Sequence, residues 1–197
     1  TWSGRYRPPL QEVTTFPRPH QSEIPVWHGS ASSTLSTELA ARYGEPIFSS
    51  NSFHPFEKYK ALIDHYRERL VYYGHDPHKA VVGAGSGSLY LADTAEEALR
   101  RFRPYYEAFS GTEAAKHNQS PFTSLKDMVE RGPALIGSAE QIIVKILKYH
   151  EAFGHTVLGI SVDGLSEAEQ REQLHRFAEE VLPVLKREIP NPLYRGI

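Results

Sequence analysis

Apolar positions along this chain fall into short runs that alternate with long periodic blocks. Ile24-Pro25-Val26-Trp27-His28 is a short run closed by Gly29 and reads as a strand. Residues 33–43 read as a helix with Leu35, Leu39, Ala40 and Tyr43 on one face, ended by Gly44. Pro46-Ile47-Phe48 is a second strand-like run, ending in Ser49-Ser50-Asn51. A long helix is predicted over 55–73, where Phe56, Tyr59, Leu62, Ile63, Tyr66, Leu70 and Tyr73 recur at spacings of three and four. Ala80-Val81-Val82 and Leu89-Tyr90-Leu91, separated by glycines, read as one bent or bulged strand.

Three serine or threonine caps mark further helices. Thr94-Ala95-Glu96-Glu97 opens one through Leu99, Phe102, Tyr106 and Phe109, with a kink expected at Pro104. Ser138-Ala139-Glu140-Gln141 opens another through Ile142, Ile143, Ile146, Leu147 and Phe153, stopped by Gly154. Ser166-Glu167-Ala168-Glu169 caps a last one through Leu174, Phe177, Ala178, Val181 and Leu185. Residues 157–162 form the fourth predicted strand. Residues 110–136 lack periodicity and read as an irregular, mobile excursion. Residues 1–23 are broken by Arg7-Pro8-Pro9 and Phe16-Pro17-Arg18-Pro19 and read as a leading arm or linker, and 190–197 as a tail. Strands thus alternate with helices four times, the signature of a parallel sheet covered by helices. Periodicity does not choose between an open doubly wound sheet and half of an eight-stranded barrel.

Composition narrows the chemistry. The 22 Lys and Arg against 24 Asp and Glu leave a net charge of -2, which argues against a dedicated nucleic-acid binder. With no cysteine there is no thiolate nucleophile, disulfide or Cys-held metal. No apolar run has the roughly 20 residues needed to span a bilayer and no secretory signal opens the chain, so a cytoplasmic protein is expected. The chain opens on Thr1 and its sole methionine is Met128, from which residues upstream are expected.

Gly83-Ala84-Gly85-Ser86-Gly87-Ser88 fails as a dinucleotide fingerprint, because its third glycine comes one residue early and no helix follows. It also lacks the lysine of a P-loop. Gly29-Ser30-Ala31-Ser32-Ser33-Thr34 lies between a strand and a helix, where free N–H groups and hydroxyls can cradle a phosphate; a plain serine N-cap is the competing reading. His28 ends its predicted strand, the place where αβ barrels bind ligands, and is weighed against a packed histidine. His75 and His78 flank a turn and have no metal-ligand spacing, so no metal is expected. No Gly-x-Ser-x-Gly elbow is present, and no catalytic residue can be named from the sequence.

Several stretches together resemble the bacterial-luciferase-like, flavin-dependent monooxygenase family. They are Ile24-Pro25-Val26-Trp27-His28-Gly29-Ser30 with Glu38-Leu39-Ala40-Ala41-Arg42-Tyr43-Gly44 and Pro46-Ile47-Phe48, then Tyr66-Arg67-Glu68-Arg69 with Gly74-His75-Asp76-Pro77. Ala92-Asp93-Thr94-Ala95-Glu96-Glu97-Ala98 follows, then Ala134-Leu135-Ile136-Gly137-Ser138-Ala139-Glu140-Gln141 and Gly154-His155-Thr156-Val157-Leu158. The resemblance runs in order over nearly all of 20–189. It implies an α/β fold, the C-terminal half of a (β/α)8 TIM barrel with strands five to eight parallel and helices outside, spanning 24–189. Residues 110–136 then correspond to a lid-like excursion.

The resemblance further implies FMN as cofactor, with F420 as the alternative. The flavin phosphate is placed against Gly29 and Ser30, with Ser32 or Ser33 reaching in. Ser49, Ser50 and Asn51 match positions near the isoalloxazine ring, and His28 joins the cofactor set. The implied activity is a monooxygenase or oxidoreductase acting on a small organic substrate with O2. The chain alone is expected to be inactive, partnered by an N-terminal barrel half and homo-oligomeric. A non-catalytic flavin-binding or structural half-barrel, pairing with a partner chain, is the alternative.

Overall fold

The computed structural model describes residues 1–22, 24–50, 54–113, 115 and 121–189. Strands β1 (His28–Ser30), β2 (Ile47–Ser49), β3 (Val82–Gly85) and β6 (Val157–Gly159) form one parallel sheet in the order β1-β2-β3-β6. Strands β4 (Leu89–Leu91) and β5 (Leu135–Gly137) form a separate parallel pair. The helices are α1 (Thr34–Tyr43), α2 (Phe56–Tyr72), α3 (Ala95–Ser110), α4 (Leu125–Arg131), α5 (Ala139–Phe153), α6 (Glu167–Arg176) and α7 (Leu182–Glu188). No helix among the described residues is long and apolar enough to cross a membrane.

Register sorts the sheet into two faces. Ile47 lies opposite Val82, and Ser49 opposite Ala84. Ile47, Val82 and Ala84 are buried under Ala40 and Ala41 of α1, Tyr59, Ile63, Tyr66 and Leu70 of α2, and Tyr149 and Phe153 of α5. Gly29, Phe48 and Gly83 are also aligned across the strands, one step out of phase, so they share the opposite face. A second cluster packs Leu89, Leu91 and Leu135 against Ile142, Ile146, Phe177, Val181 and Leu185.

Capping follows the sequence closely. Ser138 and Ser166 each make the full reciprocal box, with Gln141 and Glu169 as partners. Gly44 and Gly154 take left-handed φ of 68° and 57° after α1 and α5, a conformation costly for any residue with a Cβ.

Several expectations are revised. The first strand is not 24–28: pairing starts at His28, whose N–H donates to Pro46 O, and residues 24–27 run outside the ladder. The single bent strand over 80–91 is two strands in two sheets, because the chain leaves the main sheet at Ser86-Gly87-Ser88. The excursion over 110–136 contains α4, capped by Ser124, and β5. The last helix has a five-residue π turn at Phe177–Val181. Pro183 has no N–H to return to Glu179 and its ring opposes that carbonyl, which accounts for the wider turn. In α1 the buried residues are Thr37, Ala40 and Ala41, whereas Leu35, Leu39 and Tyr43 face outward.

Candidate functional site

The turn between β1 and α1 is built by its own hydroxyls. Ser33 caps α1 by accepting from Ser36 N at 3.5 Å. Ser30, almost fully buried, donates from Oγ to Ser33 O at 2.9 Å, and Thr37 donates to the same carbonyl at 3.0 Å. These bonds hold the first turn of α1 beside the end of β1. An α-helix leaves the N–H groups of that turn without intrahelical partners, and they carry the positive end of the helix dipole. No acidic side chain lies in the first turn to oppose an anion.

Gly29 is exposed, and a Cβ built on it would meet nothing within 4 Å. Ser32 is exposed on the same turn. The end of β2 stands alongside: Ser30 pairs with Ser49, and Ser50 N donates to Ser30 O at 2.9 Å. Ser50 is exposed and Ser49 fully buried. The structure therefore brings Gly29, Ser30, Ser32, Ser33, Ser49 and Ser50 together at the ends of two adjacent strands. Asn51 lies outside the described residues.

His28 is placed differently. It opens β1 instead of closing its strand, and its Nε2 is bonded to the Glu45 carboxylate at the α1–β2 turn. Glu45 in turn accepts from Tyr66 Oη through its carbonyl at 2.9 Å. His28 thus ties the start of β1 to the helix layer, away from the serine-rich ends.

Sequence reading passed over the surface next to these serines. Phe48 lies across the sheet on the face away from α1 and α2. A Cβ on Gly83 would come within 2.4 Å of its ring, and one on Gly159 within 2.9 Å. Trp27 meets Phe48 edge-on, with centroids 6.5 Å apart at 66°. The signal was available in the two-residue period, which puts Trp27, Gly29 and Phe48, Gly83 on one side of the sheet.

The helices behind the turn hold it firmly. Glu38 of α1 accepts from Arg69 Nε at 2.7 Å and Nη2 at 2.7 Å, and from Tyr73 Oη at 2.6 Å. Arg69 and then Tyr73 pull its carboxyl below the usual range. A groove of about 440 Å³ lies where Phe56, Val129, Lys145 and Tyr149 meet, and none of the serines of the turn lines it. Among the described residues no group of His, Asp and Glu is placed to hold a metal ion.

A parallel sheet under helices, with a phosphate-compatible turn after its first strand, is the frame in which the comparisons fall. The profile described as luciferase-like monooxygenase matches residues 1–156. This chain belongs to that family. No curated protein matches it. Among solved structures, the monooxygenase RslO1 from Streptomyces bottropensis superposes over 93% of the chain and 55% of its own, with a TM-score of 0.72 and 22% identity. The oxygenating constituent of 3,6-diketocamphane monooxygenase from Pseudomonas putida, solved with FMN, superposes over 82% and 48%, at 0.57 and 23%. The coenzyme F420-dependent tetrahydromethanopterin reductase of Methanopyrus kandleri covers 82% and 51%, at 0.56 and 15%. The luciferase-like chain described here thus spans about half the length of the solved relatives it matches.

Proposed function

We propose that this chain is the C-terminal half, strands five to eight, of a (β/α)8 flavin-dependent monooxygenase that acts with reduced FMN and O2 on a small organic substrate. The β1–α1 turn holds the flavin phosphate. The observation that carries the reading is the turn: open space at Gly29, an exposed Ser32, and the unopposed N-terminus of α1, held in place by Ser30, Ser33 and Thr37. A phosphomonoester carries roughly two negative charges near neutral pH and needs converging donors, which backbone N–H groups supply without a lysine.

Reduced FMN would supply the electrons that activate O2. The chain's own part is to bind and orient. Ser32 and the first-turn N–H groups of α1 hold the phosphate, and Gly29 lets it approach the backbone. Ser50 stands at the neighbouring strand end. Phe48 and Trp27 supply an apolar wall that keeps water from the ring. The chain alone is inactive because the other half of the barrel completes the pocket.

The test is FMN fluorescence quenching, with riboflavin as the phosphate-free control. Gly29→Val fits the free structure but fills the cradle, and Ser32→Asp adds a like charge on an exposed side chain. Each is expected to weaken FMN binding by about 1–3 kcal/mol while leaving riboflavin affinity unchanged. Equal losses for both ligands, or none for either, would move the phosphate away from this turn.

A further inference from the structure

Helix α5 carries two cations beside its apolar side. Ile142, Ile146, Tyr149 and Phe153 are buried. Lys145 lies one turn before Tyr149, half-buried, and Val144 and Lys148 stand exposed on the same side of the helix. These residues form one wall of the 440 Å³ groove, which Phe56 of α2 and Val129 of α4 close. The ring centroids of Phe56 and Tyr149 are 4.9 Å apart. Lys148 Nζ lies 5.3 Å from the centre of Phe56, and Lys145 Nζ 5.8 Å from that of Tyr149. The volume falls in the range of small-molecule sites, roughly 300–1,000 Å³.

The charge in this wall is not balanced. A largely buried ammonium is normally matched by a carboxylate. Lys145 donates instead to two backbone carbonyls, Val129 O at 2.6 Å and Ala134 O at 2.7 Å. An ammonium has a third N–H to give. Burial, and then the Lys148 ammonium, lower the Lys145 pKa to about 8. Among the described residues neither lysine makes an ion pair, whereas Arg131 is paired with Asp127 and Glu130 with Lys126. Glu57, Glu130 and Glu140 also line the groove, but each is exposed to solvent.

We propose that this groove is a binding site for a flat aromatic carboxylate, whose anion takes the third N–H of Lys145 beside Lys148 and whose ring lies along Phe56 and Val144. A single negative charge matches one remaining N–H, and the three carboxylates of the groove disfavour a dianion such as phosphate. The apolar side chains require a body as well as a charge. The same ammonium holds Val129 and Ala134, and bonds from a charged donor are the stronger ones. An occupant that keeps Lys145 charged therefore also tightens the join between α4 and β5. The site shares no residue with the serine turn and stands whether or not that turn binds a flavin.

Isothermal titration calorimetry of the 197-residue chain with naphthoate tests it, with the uncharged naphthamide as control. One naphthoate per chain is expected, and naphthamide at least about tenfold weaker. Val144→Glu adds a like charge at an exposed position, and Lys148→Met removes an exposed cation. Each should weaken naphthoate at least about fivefold with little effect on naphthamide. Leu174→Glu, at an exposed leucine on α6, should change neither. Circular dichroism confirms that each variant folds. Naphthoate at ten times its Kd should slow amide exchange over 125–137 by about tenfold. Equal affinity for acid and amide, indifference to both groove variants, displacement by inorganic phosphate at a comparable concentration, or no binding at millimolar naphthoate each overturns the proposal.

Discussion

Two buried side chains show how much a single residue carries here. Gln173 is 1% exposed and faces the backbone of β4. Its Oε1 accepts from Leu91 N at 2.5 Å and its Nε2 donates to Leu91 O at 3.1 Å, so the amide imitates a neighbouring strand. Gln173→Leu keeps the volume but strands a buried donor and acceptor. It should cost about 2–5 kcal/mol in urea unfolding, against less than 1 for an exposed substitution on the same helix. His155 is 4% exposed, and burial, with His150 beside it, lowers its ring to about 4. The unfolded chain, near 6.5, then binds a proton that the folded one refuses between pH 6.5 and 4. Stability is full above 6.5 and falls as pH drops through that window, by up to about 3 kcal/mol. Urea midpoints at pH 7 and 4.5 measure it, and His155→Leu should flatten the difference.

At the scale of elements, Lys145 pins the return from the excursion. Its Nζ donates to Val129 O in the last turn of α4 at 2.6 Å and to Ala134 O just before β5 at 2.7 Å. Lys145→Met should keep α5 and speed amide exchange over 125–137 by roughly ten- to a hundredfold, about 1.4–3 kcal/mol of local opening. Sequence made the long elements plain and these short ones opaque. Ser138 and Ser166 announced α5 and α6 because a capping box is a local pattern. Helix α4, at seven residues, is too short for a 3.6-residue period to rise above its polar context. The glycines at 83, 85 and 87 hid the passage from β3 to β4, since a bulge and a change of sheet use the same residues. The apolar row on α1 was legible as a face, but the chain itself does not say whether anything covers it. At the site, the serines and Gly29 were legible from the strand–turn–helix pattern. The role of His28 was not, because its partner Glu45 lies seventeen positions away, on the far side of α1.

The molecule as a whole is held together by α5. Its Tyr149 and Phe153 belong to the core under β2 and β3, whereas Ile142 and Ile146 belong to the core around β4 and β5. Neither core can lose this helix without exposing the other. Ile146→Ala should therefore cost about 2–5 kcal/mol and lower one shared melting transition, with near- and far-UV circular dichroism still coincident. Two separated transitions would mean that the cores are independent. The β4–β5 pair has an architectural consequence of its own. The two strands run parallel, Leu89 opposite Leu135 and Leu91 opposite Gly137, and Leu135 N donates to Ser88 O at 2.7 Å, so the chain that departs at the end of β4 returns beside its start. Helices α3 and α4 belong to a crossover whose entry and exit are both fixed by this pair. Such a segment can be lengthened, trimmed or replaced between relatives without the main sheet registering the change, which makes it the natural place for a lineage to try out new specificities on an old scaffold.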